Sequence, residues 1–160
     1  MAGFDAIYKQ TVTLFNRVPI AHDDGEYLWY PTVLTGVHLI TDESASWNNN
    51  GGMKNDNVRL HVRYLQSGDD VLVAGKKYYT PKDYRRLLAP EEAITFQFGS
   101  KDFDFFIEGE LEEEFPVPIS DKTFTRHGFM DYLNARYDHV FAITSVSKYN
   151  LIPHFEIIAR

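Results

Sequence analysis

The stretch from His139 to Arg160 constrains the fold of this chain more than any other. Val140, Ala142, Thr144 and Val146 alternate with Phe141, Ile143 and Ser145, and a second apolar run, His154 to Ala159, follows the polar segment from Ser147 to Pro153. Period-two alternation of β-branched and aromatic residues on both sides of a short turn is the pattern of a β-hairpin. Apolar residues occur on both faces, and two-sided strands need cover on both sides. The hairpin is therefore expected as the central pair onto which earlier strands close.

A chain of 160 residues is most simply one domain, able to bury roughly two thirds of its unfolded surface. Twelve Phe and ten Tyr supply core material, so disorder is not the expected state. Cysteine is absent, which removes disulfides, thiolate zinc sites and cysteine nucleophiles together and fits a reducing compartment. The N-terminal residues carry no basic segment followed by an apolar run, and no apolar run reaches the length of a membrane span, so a soluble protein is expected. The net charge of −7 opposes general attraction to phosphate. The best basic patch, Lys76, Lys77, Lys82, Arg85 and Arg86, is short, and no sequence-specific nucleic-acid binding is expected.

In chain order, Phe4, Ile7 and Tyr8 have near-helical spacing, and Thr11 to Phe15 has strand composition. Asn16 to Glu26, with Pro19, two Asp and a Gly, reads as a loop or wide turn. Tyr27 to Tyr30 is expected to end at Pro31, and Thr32 to Ile40 to form the next strand with a bulge at Gly36. Residues 41–57 form an expected mobile polar loop, with Trp47 and Met53 nearly its only apolar residues. Val58 to Tyr64 alternates cleanly; Ser67–Asp70 reads as a turn, Val71–Ala74 as a short strand, and Gly75–Lys77 as a second turn into Tyr78–Thr80. Thr80 and Pro81 suit the start of a short helix covering Lys82 to Leu88. Ile94 to Phe98 and Phe103 to Ile107 flank Gly99–Asp102 as a second hairpin signal. Residues 108–118 are acidic and then proline-rich, with five Glu between Glu108 and Glu114. A longer helix is expected from Ser120 or Thr125 to about Tyr137. No alternation of strand and helix suggests parallel pairing. The fold class is mainly β: a small antiparallel β-barrel or sandwich with one short and one longer α-helix. Tyr30, Val33, Val37, Val62, Ile143, Val146 and Phe155 are expected to pack inside it.

Signals of chemistry are few. The six histidines, His22, His38, His61, His127, His139 and His154, include no pair two or four apart on one element, and a set assembled from distant positions stays open as an alternative. The Glu108–Glu114 run lacks the Asp, Asn and Gly alternation of a calcium loop and reads as a solvated edge or an electrostatic contact surface for a basic partner. There is no G-x-S-x-G elbow, and Gly51-Gly52 stands in a polar loop without the lysine of a phosphate loop. No cofactor, metal or catalytic residue is expected.

The order of motifs resembles a known group. Thr11 to Arg17, then Tyr27-Leu28-Trp29-Tyr30-Pro31-Thr32-Val33-Leu34-Thr35-Gly36-Val37, is similar to the opening of minor-capsid and head-completion proteins of tailed phages and prophages of Gram-positive bacteria. Gly75-Lys76-Lys77-Tyr78-Tyr79, Pro81 to Tyr84, Asp104 to Gly109, and Ile143-Thr144-Ser145-Val146 with Ile152 to Glu156 are similar to later segments of such proteins. The acidic run and the Asn-rich loop depart from that pattern.

The resemblance implies a non-enzymatic β-barrel that assembles as a ring at the head–tail junction, closes or lines the DNA channel and docks the tail. Its partners would be portal, adaptor and tail components, and its location the bacterial host cytoplasm and then the virion. An acidic lumen would pass DNA without holding it, and bare strand edges would suit augmentation by a neighbour. Candidate contact residues are Trp47, Asn48, Asn49, Asn50, Gly51, Gly52 and Met53 in the loop, and Glu110, Glu112, Glu113 and Glu114 on the acidic segment. Two rival classes stand beside this one: a monomeric barrel holding a small ligand among converging His and Tyr, and a hydrolase using His154 or His61 with carboxylates.

Overall fold

The computed structural model describes residues 7–20, 26–41, 57–99, 103–124 and 128–160. Six strands close into an antiparallel barrel. They are β1 (Gln10–Pro19), β2 (Tyr27–Thr41), β3 (Val58–Arg63), β8 (Phe105–Glu108), β10 (Val140–Tyr149) and β11 (His154–Ala159). Their order is β1-β8-β10-β11-β3-β2, and a direct β1–β2 ladder completes the circle. The short β9 (Ile119–Ser120) adds to β2 at Leu28 and Trp29. Closure removes the bare barrel edges expected from the sequence.

Strand β2 shows how local chemistry shapes this circle. It runs unbroken through Pro31, which pairs with Phe15, so neither the strand end at Tyr30 nor the loop beginning at Asn16 is present. One edge of β2 carries β1 along most of its length, while the other carries β9 at its start and β3 from His38 onward. Pro31 lies between those two attachments, where that edge has no partner strand among the described residues. A missing N–H directed there removes no ladder bond. The expected bulge is present: Gln10 pairs with Val37 and Thr11 with Thr35, leaving Gly36 unpaired at φ 64°. Only glycine adopts that conformation cheaply, and the bulge sharpens the bend of β2.

A second, four-stranded sheet contains β4 (Leu65–Ser67), β5 (Asp70–Val73), β6 (Lys76–Tyr78) and β7 (Ala93–Ile94). β6 and β7 are parallel, Lys77 facing Ala93 and Tyr78 facing Ile94, which corrects the expectation of antiparallel pairing alone. The crossover between them contains α1 (Pro81–Tyr84), four residues long instead of reaching Leu88. Tyr84 is buried, but Leu88 is fully exposed, so no apolar stripe anchors a second turn. The expected hairpin around Gly99 is split for a related reason: its first arm joins β6 through β7, and its second, β8, lies between β1 and β10. One backbone bond, Asp104 N to Gln97 O at 2.9 Å, still ties the arms together.

Apolar packing divides into an inner and an outer cluster. Val12, Leu14, Leu34, Leu60, Phe106, Phe155 and Ile157 fill the barrel and are each at most 1% exposed; Val73, Ile94 and Phe96 of the second sheet region continue that core. Outside, Phe15, Trp29, Phe105, Ile107 and Ile119 meet Phe129 and Leu133 of α2 (Gly128–Asn134). The strands covered on both faces are thus β1 and β8, not the terminal hairpin, whose β11 alternates between buried and half-buried residues. Val33 is a further correction: Thr32 and Leu34 face inward, which turns Val33 outward to 41% exposure.

Helix α2 has seven residues and ends at Asn134, short of the expected Tyr137; of the two expected starts, Ser120 lies in β9 and Thr125 outside the described residues. Asp121 to Thr123 form a 3-10 turn instead. The Asp121 Oδ1 atom accepts from Phe129 N and from Trp29 Nε1, both at 2.9 Å, so one carboxylate fastens the helix start to the barrel. Gly128 has φ 87°, and a Cβ there would lie 2.6 Å from Asp121 Oδ2. No helix among the described residues is long and apolar enough to cross a membrane.

Candidate functional site

The acidic segment leaves β8 at Glu108 and passes along the start of β10. Glu108 N donates to His139 O, and Gly109 N donates to Thr11 O. Glu110, Glu112, Glu113 and Glu114 are all exposed, while Leu111 and Phe115 turn inward onto the outer cluster. Glu113 accepts from the Tyr132 hydroxyl at 2.9 Å and lies 3.7 Å from Arg136 Nε, and Glu112 N donates to the Tyr137 hydroxyl oxygen at 3.2 Å. The segment is therefore an ordered edge with one of its four candidate carboxylates already engaged. The loop candidates Trp47, Asn48, Asn49, Asn50, Gly51, Gly52 and Met53 lie outside the described residues.

Tertiary pairing assembles a row that spacing in the sequence concealed. His38 and His61 are direct partners across β2 and β3, with ring centroids 5.8 Å apart, and His154 approaches His61 to 5.4 Å. Tyr8 meets His38 edge-on at 6.1 Å, and Tyr149 stacks on His154 at 4.9 Å, which extends the row across the outer face of the barrel. Glu156 is the register partner of His61 on β11. Partial burial lowers the His61 pKa; Glu156 opposes this, and His154, His38 and Arg59 reinforce it. The rings form a continuous stripe, and among the described residues no group of three or more His, Asp or Glu is arranged to hold a metal ion. The only signal available beforehand was the outward phase of each histidine in its own strand; register across strands distant in the chain was needed to join them.

Part of the basic patch is committed internally. Lys76 Nζ donates to Thr32 Oγ1 at 2.8 Å, Lys77 pairs with Asp70 at 3.3 Å, and Arg85 Nε donates to Gln97 Oε1 at 3.1 Å.

The strongest polar constellation is buried. Asp104 is fully enclosed and its carboxylate accepts four N–H bonds: Asn16 Nδ2 and Gln97 N at Oδ2, and Arg17 N and Gln97 Nε2 at Oδ1, all at 2.7–2.8 Å. Asn16 Nδ2 also donates to Thr95 O, and Gln97 Nε2 to Arg17 O, so the cluster ties β1, the strand end after β7 and the start of β8 together. With both oxygens occupied and the group shut off from solvent, the arrangement is a clamp, not a proton donor to substrate.

Burial pushes the Asp104 carboxyl from 3.8 up to about 7, against the pull of the four donors. A raised acid pKa means that the folded chain holds the extra proton. This contribution to stability is complete below about pH 4 and is lost as pH rises through 7, at up to about 1.4 kcal/mol per pH unit. A carboxyl 13C titration should show one side chain inflecting near neutrality; an Asp104 inflection below 4 would mean that the donors outweigh burial.

A family described as "Family of unknown function (DUF6751)" matches residues 7–160. Comparison with curated proteins and with solved structures yields no match.

Proposed function

The chain belongs to the DUF6751 family, and we propose that it is a non-enzymatic structural protein of tailed-phage or prophage virions, acting at the head–tail junction. The observation that carries assembly over ligand capture is the filled barrel. Leu14, Leu34, Leu60, Phe106 and Phe155 occupy the interior where a ligand-binding barrel would keep a cavity lined by polar groups. The histidines that a ligand site or a hydrolase would recruit stand on the outer face. Function then resides on the surface. The phage assignment itself rests on the order of motifs from Thr11 to Val37 and onward through the terminal hairpin.

In this role the chain joins a homo-oligomeric ring, closes or lines the channel and presents a docking surface to portal, adaptor or tail proteins. It works in the host cytoplasm during assembly and then in the virion. Its excess of acid repels DNA phosphate and prevents adhesion within such a channel. The test is a pull-down of the purified chain against each structural protein of its own phage or prophage, with peptide mass spectrometry of purified virions alongside. Retention by a neck component and presence in virions are expected. Absence from virions with no retention, above all if a small molecule copurifies with the folded chain, would overturn the proposal.

A further inference from the structure

The turn joining β10 and β11 projects an apolar surface from an otherwise acidic protein. Leu151 is 98% exposed, Tyr149 and Ile152 about half exposed, and Leu65 at the head of β4 is 64% exposed. These residues are held together: Tyr64 N donates to Pro153 O, and the Tyr64 hydroxyl lies 3.0 Å from Tyr149 O and 2.7 Å from Asn150 Oδ1. Lys148 sits over the Tyr64 ring at 5.2 Å. A tip fastened in this way has little conformational entropy left to lose on docking. From Thr144 to Phe155 the chain contains no acidic residue, and Lys148 gives this end the opposite sign to the net charge of −7.

The acidic segment stands at the other end of the same strand. β10 begins beside Glu108, through the bond to His139, and ends at Tyr149 after ten residues, roughly 30 Å away. Beyond its glutamates the segment continues as Phe115-Pro116-Val117-Pro118, in which Val117 is 54% exposed and both prolines are exposed. One end is thus apolar and basic, and the other apolar and acidic.

We infer that the β10–β11 tip of one copy docks on the acidic, proline-rich edge of a second copy, head to tail. This rests on the reading of the chain as an assembly subunit and assigns the surfaces between successive copies. Two acidic copies repel in most orientations, and this orientation sets Lys148 against Glu110, Glu112 and Glu114 while covering Leu151 and Val117. A contact between two different surfaces is heterologous and propagates into a ring when the rotation between copies closes.

The cysteine-free chain permits a direct test. Ile152→Cys and Val117→Cys, both at exposed positions, are prepared separately and mixed at high concentration with a short bismaleimide cross-linker; circular dichroism verifies folding. The mixture should give a cross-linked dimer that neither variant gives alone, and the double variant should give a ladder. Adding Lys148→Glu, or raising the salt, should remove most of the product. A dimer from Ile152→Cys alone would show a symmetric tip-to-tip contact and overturn the inference, as would absence of product from the mixture. The neck pull-down is read separately. A ladder without any neck partner keeps this interface and removes the neck role, and a neck partner without a ladder does the reverse.

Discussion

Asp104→Ala should cost this protein about 4 kcal/mol of stability, lowering its melting temperature by roughly 8 to 16 °C. The reason is a count of donors. Asn16 Nδ2, Gln97 Nε2 and the backbone N–H groups of Gln97 and Arg17 all terminate on one carboxylate from which water is excluded. Removing it strands several buried donors, each costing about 1 kcal/mol or more. Asp104→Asn should lose about half as much, because its amide oxygen still serves two donors while its NH2 confronts the other two. Urea midpoints at pH 8 for the three proteins give the comparison. A loss below about 1 kcal/mol in the alanine variant would show that the cluster closes without the carboxylate, and the clamp would have to be abandoned.

Phe105→Ala should be nearly as damaging, at about 3 to 5 kcal/mol. Phe105 is wholly buried on the outer side of β8, with ring centroids 4.8 Å from both Phe15 and Trp29 and 6.1 Å from Phe129. Its loss opens a cavity between the barrel wall and α2, and a seven-residue helix has too little intrinsic stability to stay ordered without that contact. The variant should therefore also lose near-ultraviolet dichroism from Trp29. Phe98→Ala is the matched control: that ring is half exposed, and a change within about 0.5 kcal/mol is expected. Equal effects from the two variants would contradict the outer cluster as a second core.

These two sites and the proposed role divide the molecule in a consistent way. Among the described residues, the interior and outer clusters hold a closed barrel and the docked α2. The exposed features among the described residues are the acidic edge, the histidine stripe and the apolar tip. The proposed virion role would use these surfaces, since its work is contact with neighbours.

The alternation in Val58–Arg63 and in the terminal hairpin, the bulge at Gly36 and the turns at Ser67–Asp70 and Gly75 were all legible in the chain, because each depends on residues close in sequence. The mainly β class follows from the same local signals. Pro31 misled for an equally physical reason: a proline ends a strand only where its missing N–H would have been used, and that depends on which neighbour lies on which edge. The length of α1 was likewise decided by packing and not by its cap. The parallel β6–β7 pair, the burial of Asp104 and the meeting of His38, His61 and His154 required register between distant segments. Sequence by itself determined where most strands lie and, in the alternating Val58–Arg63, which face turns inward, but not the face of Val33 or the strand length at Asn16–Pro19. Only the tertiary structure decided which strands meet, because pairing energy depends on surfaces that do not exist until the barrel closes.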